Sequence, residues 1–188
     1  MSKDDIVITL FTIVYGLMLT DLFLSLHKLI RNKNVVKWHW LPLLSSWYLF
    51  LIILKNWWDL AFFQNTAGWM NIYFFIVYGH LLVLIFLTVS SALPDKVTQD
   101  GIDLKEYYFS NNAYFWGLMS SVVFTSLAIG IFKQLVILDS INISNILGNC
   151  ILIFLLITLA ATKKYWIHST IVSLIIILVI LEIVIKNI

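Results

Sequence analysis

Charged residues and cysteines are both scarce in this chain. Lys, Arg, Asp and Glu together make up 12% of the 188 residues, whereas hydrophobic residues make up 61%. An ordinary soluble domain has about 25% charged and about 45–50% apolar residues. This imbalance excludes a typical soluble domain and predicts a polytopic membrane protein. The single cysteine, Cys150, excludes an intramolecular disulfide.

Motifs that carry catalysis or cofactor binding are also missing. The sequence has no phosphate-binding glycine loop, nucleophile elbow or zinc-protease motif. None of its four histidines has the His-x-x-x-His or Glu-x-x-His spacing that places two ligands on one helix face. We therefore expect no metal and no cofactor, and the missing motifs favour a non-catalytic protein over an enzyme.

Long apolar segments are present instead. About 20 apolar residues cross a bilayer core, and such segments predict six transmembrane helices at 6–30, 40–63, 70–91, 113–132, 143–162 and 165–184. The predicted fold is an all-α bundle, a single transmembrane domain over 1–188. Pro94 should end the third span. In the connection that follows, Leu104, Tyr107 and Tyr108 recur at helical spacing, which predicts a short amphipathic helix in the membrane interface.

Lys and Arg are distributed unevenly among the connections. The first, third and fifth connections hold or adjoin Lys28, Arg31, Lys33, Lys37, Lys96, Lys105, Lys163 and Lys164. Because basic residues stay on the cytoplasmic side, both termini should be non-cytoplasmic. The start of the chain lacks the basic region and cleavage site of a signal peptide, so we expect the first span to be retained. The basic excess favours anionic lipid headgroups as partners and not nucleic acid.

A polar stripe marks the second span. At 100° per residue its members fall within about 100° of one another; they are Ser45, Tyr48, Lys55, Asn56 and Asp59. This face should point into the bundle. Alternatively, Lys55 and Asp59 pair with each other and reach the outer surface beside Trp57 and Trp58.

Intramembrane ionisable groups occur on the first and third spans as well. Folding the first two hairpins brings Asp21, Tyr48 and Val83 to similar depth, with His80 one turn away. Asp21 and His80 are therefore candidate partners in proton transfer. The predicted polar interior comprises Asp21, Tyr48, Lys55, Asn56, Asp59 and His80.

Small residues recur on one face of the first and fourth spans. Gly16 and Thr20 form one such surface, and Gly117 and Ser121 form the other. Surfaces of this kind let transmembrane backbones approach closely. We expect these four residues to serve helix packing.

Several short motifs resemble those of uncharacterised multi-pass bacterial membrane proteins. They are YGLMLTDL at 15–22, WHWLP at 38–42, WW at 57–58, and LPD at 93–95 followed by YYF at 107–109. The resemblance covers the first two-thirds of the chain and implies a bacterial inner membrane, without an assigned activity.

Three functions stay open at this point. The first is a small channel, transporter or proton-responsive module, acting on an ion or a small molecule through the polar interior. The second is a non-catalytic subunit, sensor or effector that docks a membrane or cytoplasmic protein through the third connection. The third is an intramembrane enzyme acting on lipid. The sequence leaves the oligomeric state open.

Overall fold

The computed structural model describes residues 3–62, 72–98, 101–135 and 141–186, and this part of the chain is all-helical apart from its connections and one short strand pair. The helices are α1 (Lys3–Arg31), α2 (Trp40–Phe62), α3 (Ile72–Ala92), α4 (Leu104–Lys133), α5 (Ile143–Ala161) and α6 (Tyr165–Lys186). The strands are β1 (Val36–Lys37) and β2 (Ile102–Asp103).

Each predicted span lies on a helix, although α4 begins at Leu104, well before the predicted start at 113. Four stretches within the described residues are long and apolar enough to cross a membrane, namely Asp5–Arg31, Phe75–Ala92, Leu104–Phe132 and Ile143–Ala161. Tyr165–Leu181 is apolar but shorter. Pro94 follows the end of α3 at Ala92, as predicted. Residues 63 and 70–71, at the ends of two predicted spans, lie outside the described residues.

The separate interfacial helix predicted for the third connection is instead the beginning of α4. Asp103 caps this helix, and its carboxylate accepts hydrogen bonds from the backbone N–H groups of Lys105 and Glu106. Leu104 is fully buried and Tyr108 is 5% exposed. The residues whose apolar spacing predicted an interfacial helix thus lie on a face that packs inside the bundle. The Asp103 cap begins the whole 30-residue helix.

The first and third connections are joined by the strand pair. Val36 pairs with Ile102 and Lys37 with Asp103 in a two-residue parallel ladder. Gly101 precedes it with φ +87°, a conformation that favours glycine. A Cβ at this position would clash with the Val35 carbonyl oxygen, which accepts a hydrogen bond from Ile102 N. The turn therefore requires glycine in order to hold the two connections together.

Helix packing forms one continuous core with an apolar outer surface. α1 packs on α2 and α3, α4 packs between α3 and α5, and α6 contacts α2 and α5. Large apolar side chains remain exposed, among them Leu17, Phe124 and Phe154 at 56%, 64% and 69%. An apolar exterior on apolar helices is what a lipid environment requires, and it is consistent with a membrane-embedded protein.

Candidate functional site

Three hydrogen-bonded side-chain pairs join α1 to α3 and to the connection after it. The Tyr15 and Tyr78 hydroxyls lie 3.0 Å apart. Ser90 Oγ donates to Asp21 Oδ2 at 2.8 Å, and Ser25 Oγ donates to Asp95 Oδ1 at 3.3 Å. We call these six residues the α1–α3 polar seam.

The seam has a direction and a length. Its partners advance together along both segments, from Tyr15 with Tyr78 to Ser25 with Asp95, so α1 and α3 run parallel. Ten residues of helix separate Tyr15 from Ser25, on the order of 15 Å. Beyond Tyr15, Phe11 stacks on Phe75 with ring centroids 5.7 Å apart. The seam is therefore polar from the middle of α1 to the end that carries the first and third connections, and apolar beyond.

Asp21 pairs with a residue other than the predicted one. Its partner Ser90 lies ten residues after His80 on α3, on the order of 15 Å along the helix. His80 itself is exposed. The prediction assumed symmetric hairpins, whereas the actual offset between α1 and α3 places Asp21 near the end of α3. The structure therefore does not bring Asp21 and His80 together.

The polar stripe of α2 separates into buried and exposed members. Tyr48 is 2% exposed and Ser45 is 1% exposed, so both lie inside the bundle. Asn56 is half-buried and donates to the Ile52 carbonyl of its own helix. Lys55 is exposed. The side chain of Asp59 lies outside the described part of the structure.

The small-residue surfaces of α1 and α4 are open to different degrees. Gly16 and Thr20 are exposed, and Thr20 Oγ1 donates to the Gly16 carbonyl at 2.8 Å. Gly117 is half-buried, and Ser121 is exposed and donates to the Gly117 carbonyl. No described atom outside the local helix backbone lies within 4 Å of a Cβ built at either glycine.

A second buried polar group surrounds His168, which is fully buried. His168 Nε2 donates to the Thr162 carbonyl at 2.8 Å, since a carbonyl oxygen only accepts. Its Nδ1 lies 2.9 Å from the Tyr108 hydroxyl, which accepts a hydrogen bond from Trp116 Nε1 at 3.1 Å. We call His168, Tyr108 and Trp116 the His168 network. It joins α4 to α6 and to the connection before α6.

Asn112 joins α4 to the carboxyl end of α5. It is 2% exposed, and its amide donates to the carbonyls of Leu159 and Thr162 at 3.1 and 2.7 Å, with a longer approach to Ala160 at 3.4 Å. The last carbonyls of a helix have no partner within the helix. Asn112 therefore supplies donors that the end of α5 lacks.

The electrostatics at the connections involve two exposed lysines, Lys37 and Lys105, and the half-buried Asp103 and His39. The N–H groups of Glu106 and Lys105 lower the pKa of Asp103, as does the charge of Lys37 at 4.0 Å. Burial lowers the pKa of His39, and the charge of Lys105 lowers it further. Lys105 Nζ also lies 5.3 Å from the centre of the Tyr165 ring. The first, third and fifth connections thus meet at one end of the bundle.

Sequence reasoning missed the partners more often than the polar residues themselves. Ser90 and the Tyr15–Tyr78 pair were not identified, and His168 entered only as one of four histidines without the spacing of metal ligands. An ionisable ring near the start of an apolar helix was the signal available for His168. Among the described residues, no group of three or more His, Cys, Asp and Glu is placed to hold a metal ion.

Together, these features are those of a membrane-embedded, all-helical protein with buried polar contacts toward one end of its helix bundle. Comparisons with protein-family models, curated proteins and solved structures find no match to this chain.

Proposed function

We propose that the chain is a proton-responsive module of a bacterial inner membrane and that the α1–α3 polar seam is its responsive element. The hydrogen bond from Ser90 to Asp21 carries this proposal, because it places an ionisable group between two apolar helices. Such groups are expensive within membrane helices and are functional candidates for that reason. An ionised carboxylate accepts a charge-assisted hydrogen bond, and protonation weakens that bond. The protonation state of Asp21 would therefore alter the contact between α1 and α3.

The length of the seam favours a response to protons over passage of an ion or solute. The three polar pairs extend over on the order of 15 Å, about half of a 30 Å hydrocarbon core. The stacked rings of Phe11 and Phe75 continue the same helix contact beyond them. A module that responds to protons from one side needs polar groups only over this half of the core, whereas a channel or transporter needs a path through the whole bilayer.

The seam also links Asp21 to the third connection. Ser25, one turn after Asp21, donates to Asp95 in that connection. The charged groups along the seam are Asp21 and Asp95, with Lys28 on the same face of α1. A change at Asp21 would thus act on the segment that leads to β2 and α4.

An infrared titration of the protein in lipid tests the proposal. Asp21→Asn keeps an oxygen that can accept from Ser90 but removes the titratable carboxyl. We expect wild type to show carboxyl bands that change with pH, and Asp21→Asn to lack the contribution of Asp21 to that change. Glu106→Gln, at an exposed carboxylate outside the seam, should keep it. An unchanged titration in Asp21→Asn would contradict the proposal.

A liposome assay separates response from conduction. The module proposed here predicts little proton flux under a pH gradient in wild type and in Asp21→Asn. Flux that depends on Asp21 would favour the channel or transporter interpretation.

A subunit that docks a partner is the second candidate. The supporting observation is that the last residues of the third connection, Ile102 and Asp103, are held by β1–β2 pairing and by the Asp103 cap beside the exposed Lys37 and Lys105. Recovery of a stable partner that is lost when residues of this connection are changed would favour this function.

Reporter fusions at both termini test the proposed orientation, in which both termini are non-cytoplasmic. A cytoplasmic carboxyl terminus would contradict that orientation.

A further inference from the structure

A small cavity lies between α2, α3 and α4, near the end of the polar seam. Its polar lining consists of Ser45, Ser91, Tyr107, Tyr108 and Asn111, and its volume is about 10 Å³. A cavity that holds one water needs roughly 10–15 Å³ and two to four polar partners. The size excludes an organic ligand and fits a single water molecule.

Ser45 supplies the second observation. Its side chain is 1% exposed, and its hydroxyl lies near that of Tyr108 but makes no hydrogen bond of acceptable geometry to a described residue. The neighbouring Ser46 behaves differently, because its hydroxyl donates to the Pro42 carbonyl of the same helix. A buried hydroxyl without a partner is destabilising, so Ser45 requires a partner that the cavity can hold.

The hydrogen-bond donors and acceptors that line the cavity determine which bonds that partner would make. Tyr107 and Asn111 both donate to the Ser91 carbonyl, which uses the two lone pairs of that oxygen. With a neutral His168 ring, the Tyr108 hydrogen points to Nδ1. Tyr107 and Tyr108 thus offer oxygen lone pairs, whereas Ser45 offers a hydrogen.

We propose that one water molecule binds in this cavity, accepting from Ser45 and donating to the hydroxyl oxygens of Tyr107 and Tyr108. The water connects the Tyr107 and Asn111 contacts at the end of α3 to the His168 network. It thereby joins Ser45 of α2 by hydrogen bonds to α4, which Tyr107 and Asn111 already join to the end of α3. This inference does not depend on proton uptake at Asp21.

Thermal unfolding of two serine variants tests the site. Ser45→Ala and Ser46→Ala make the same chemical change at adjacent buried positions, and Ser46 is the control with a known protein partner. Loss of one water-mediated bond should lower the Tm of Ser45→Ala by about 2–4 °C relative to wild type. If the Ser45 hydroxyl were dry and unpaired, its removal would leave the Tm unchanged or raise it, which would overturn the proposal.

A high-resolution structure supplies an independent result. We expect a density peak within hydrogen-bond distance of Ser45 Oγ in the wild type, and its loss in Ser45→Val, whose side chain fills the cavity. Absence of the peak in a wild-type map that shows other buried waters would also overturn the proposal.

Discussion

Removal of the Asn112 side chain should loosen the contact between α4 and α5. An amide has two hydrogens, and the two shorter contacts of Asn112, to the carbonyls of Leu159 and Thr162, account for both. In Asn112→Ala the Leu159 carbonyl loses this donor at the end of a helix, where no intrahelical donor replaces it. The Thr162 carbonyl keeps its bond from His168.

The magnitude follows from these two bonds. Each contributes about 0.5–1.5 kcal/mol net, so their loss costs about 1–3 kcal/mol. The cavity left by the carboxamide adds to this cost. The substitution also removes Asn112 Oδ1, which is buried without a partner among the described residues, and this gain offsets the cost of the cavity. We therefore expect Asn112→Ala to lose about 1–3 kcal/mol, which corresponds to a Tm lowered by about 2–12 °C.

Thermal unfolding in detergent, followed by circular dichroism, measures this loss. Asn32→Ala is the matched control, because Asn32 is exposed in the turn after α1 and its amide donates to the nearby Lys28 carbonyl at the end of that helix; its cost should stay within about 0.5 kcal/mol. Asn112→Asp should be worse than Asn112→Ala, since it places carboxylate oxygens against carbonyl oxygens. An Asn112→Ala variant as stable as the control, or an Asp variant more stable than the Ala variant, would refute this reasoning.

Three further outcomes are expected. Gly101→Ala should cost about 2–4 kcal/mol, from the positive φ and from contact with the Val35 carbonyl, and should lower the Tm. The pKa of Asp103 is lowered in the fold, so its carboxylate stabilises the protein above its ordinary pKa of 3.8, and this stabilisation is lost as the pH falls through the folded value. In Tm measurements over a pH series, Asp103→Asn should therefore lose less stability toward acid pH than the wild type. A double-mutant cycle of Tyr15→Phe and Tyr78→Phe should give a coupling energy of about 0.5–1.5 kcal/mol, and additive effects would count against their hydrogen bond.

Local patterns were sufficient to locate the helices. The predicted span at 40–63 begins at the same residue as α2 (Trp40–Phe62), and the predicted span at 143–162 extends one residue beyond α5 (Ile143–Ala161). Hydropathy is a property of each segment alone, which is why this part succeeded. The interfacial helix failed because Leu104 and Tyr108 have the same spacing whether their face meets lipid or another helix.

The candidate site was predictable only in part. Asp21 was identified because an acid within an apolar span is conspicuous. Its partner Ser90 was not, because the offset between α1 and α3 depends on how the two helices pack. Trp116 is 1% exposed and donates to Tyr108, a contact that its place in the fourth predicted span does not indicate. The position of a residue along a span does not reveal whether its side chain faces lipid or the interior of the bundle.

The sequence by itself determined that this chain is apolar and helical, where its helices lie, and that its basic residues concentrate in alternate connections. These properties depend on the order of residues along the chain. Only the tertiary structure decided that Asp21 meets Ser90, that Asn112 closes the end of α5 and that Ser45 borders a cavity. The physical reason is that axial offset and rotation between helices arise from packing among many side chains, so no single segment contains that information.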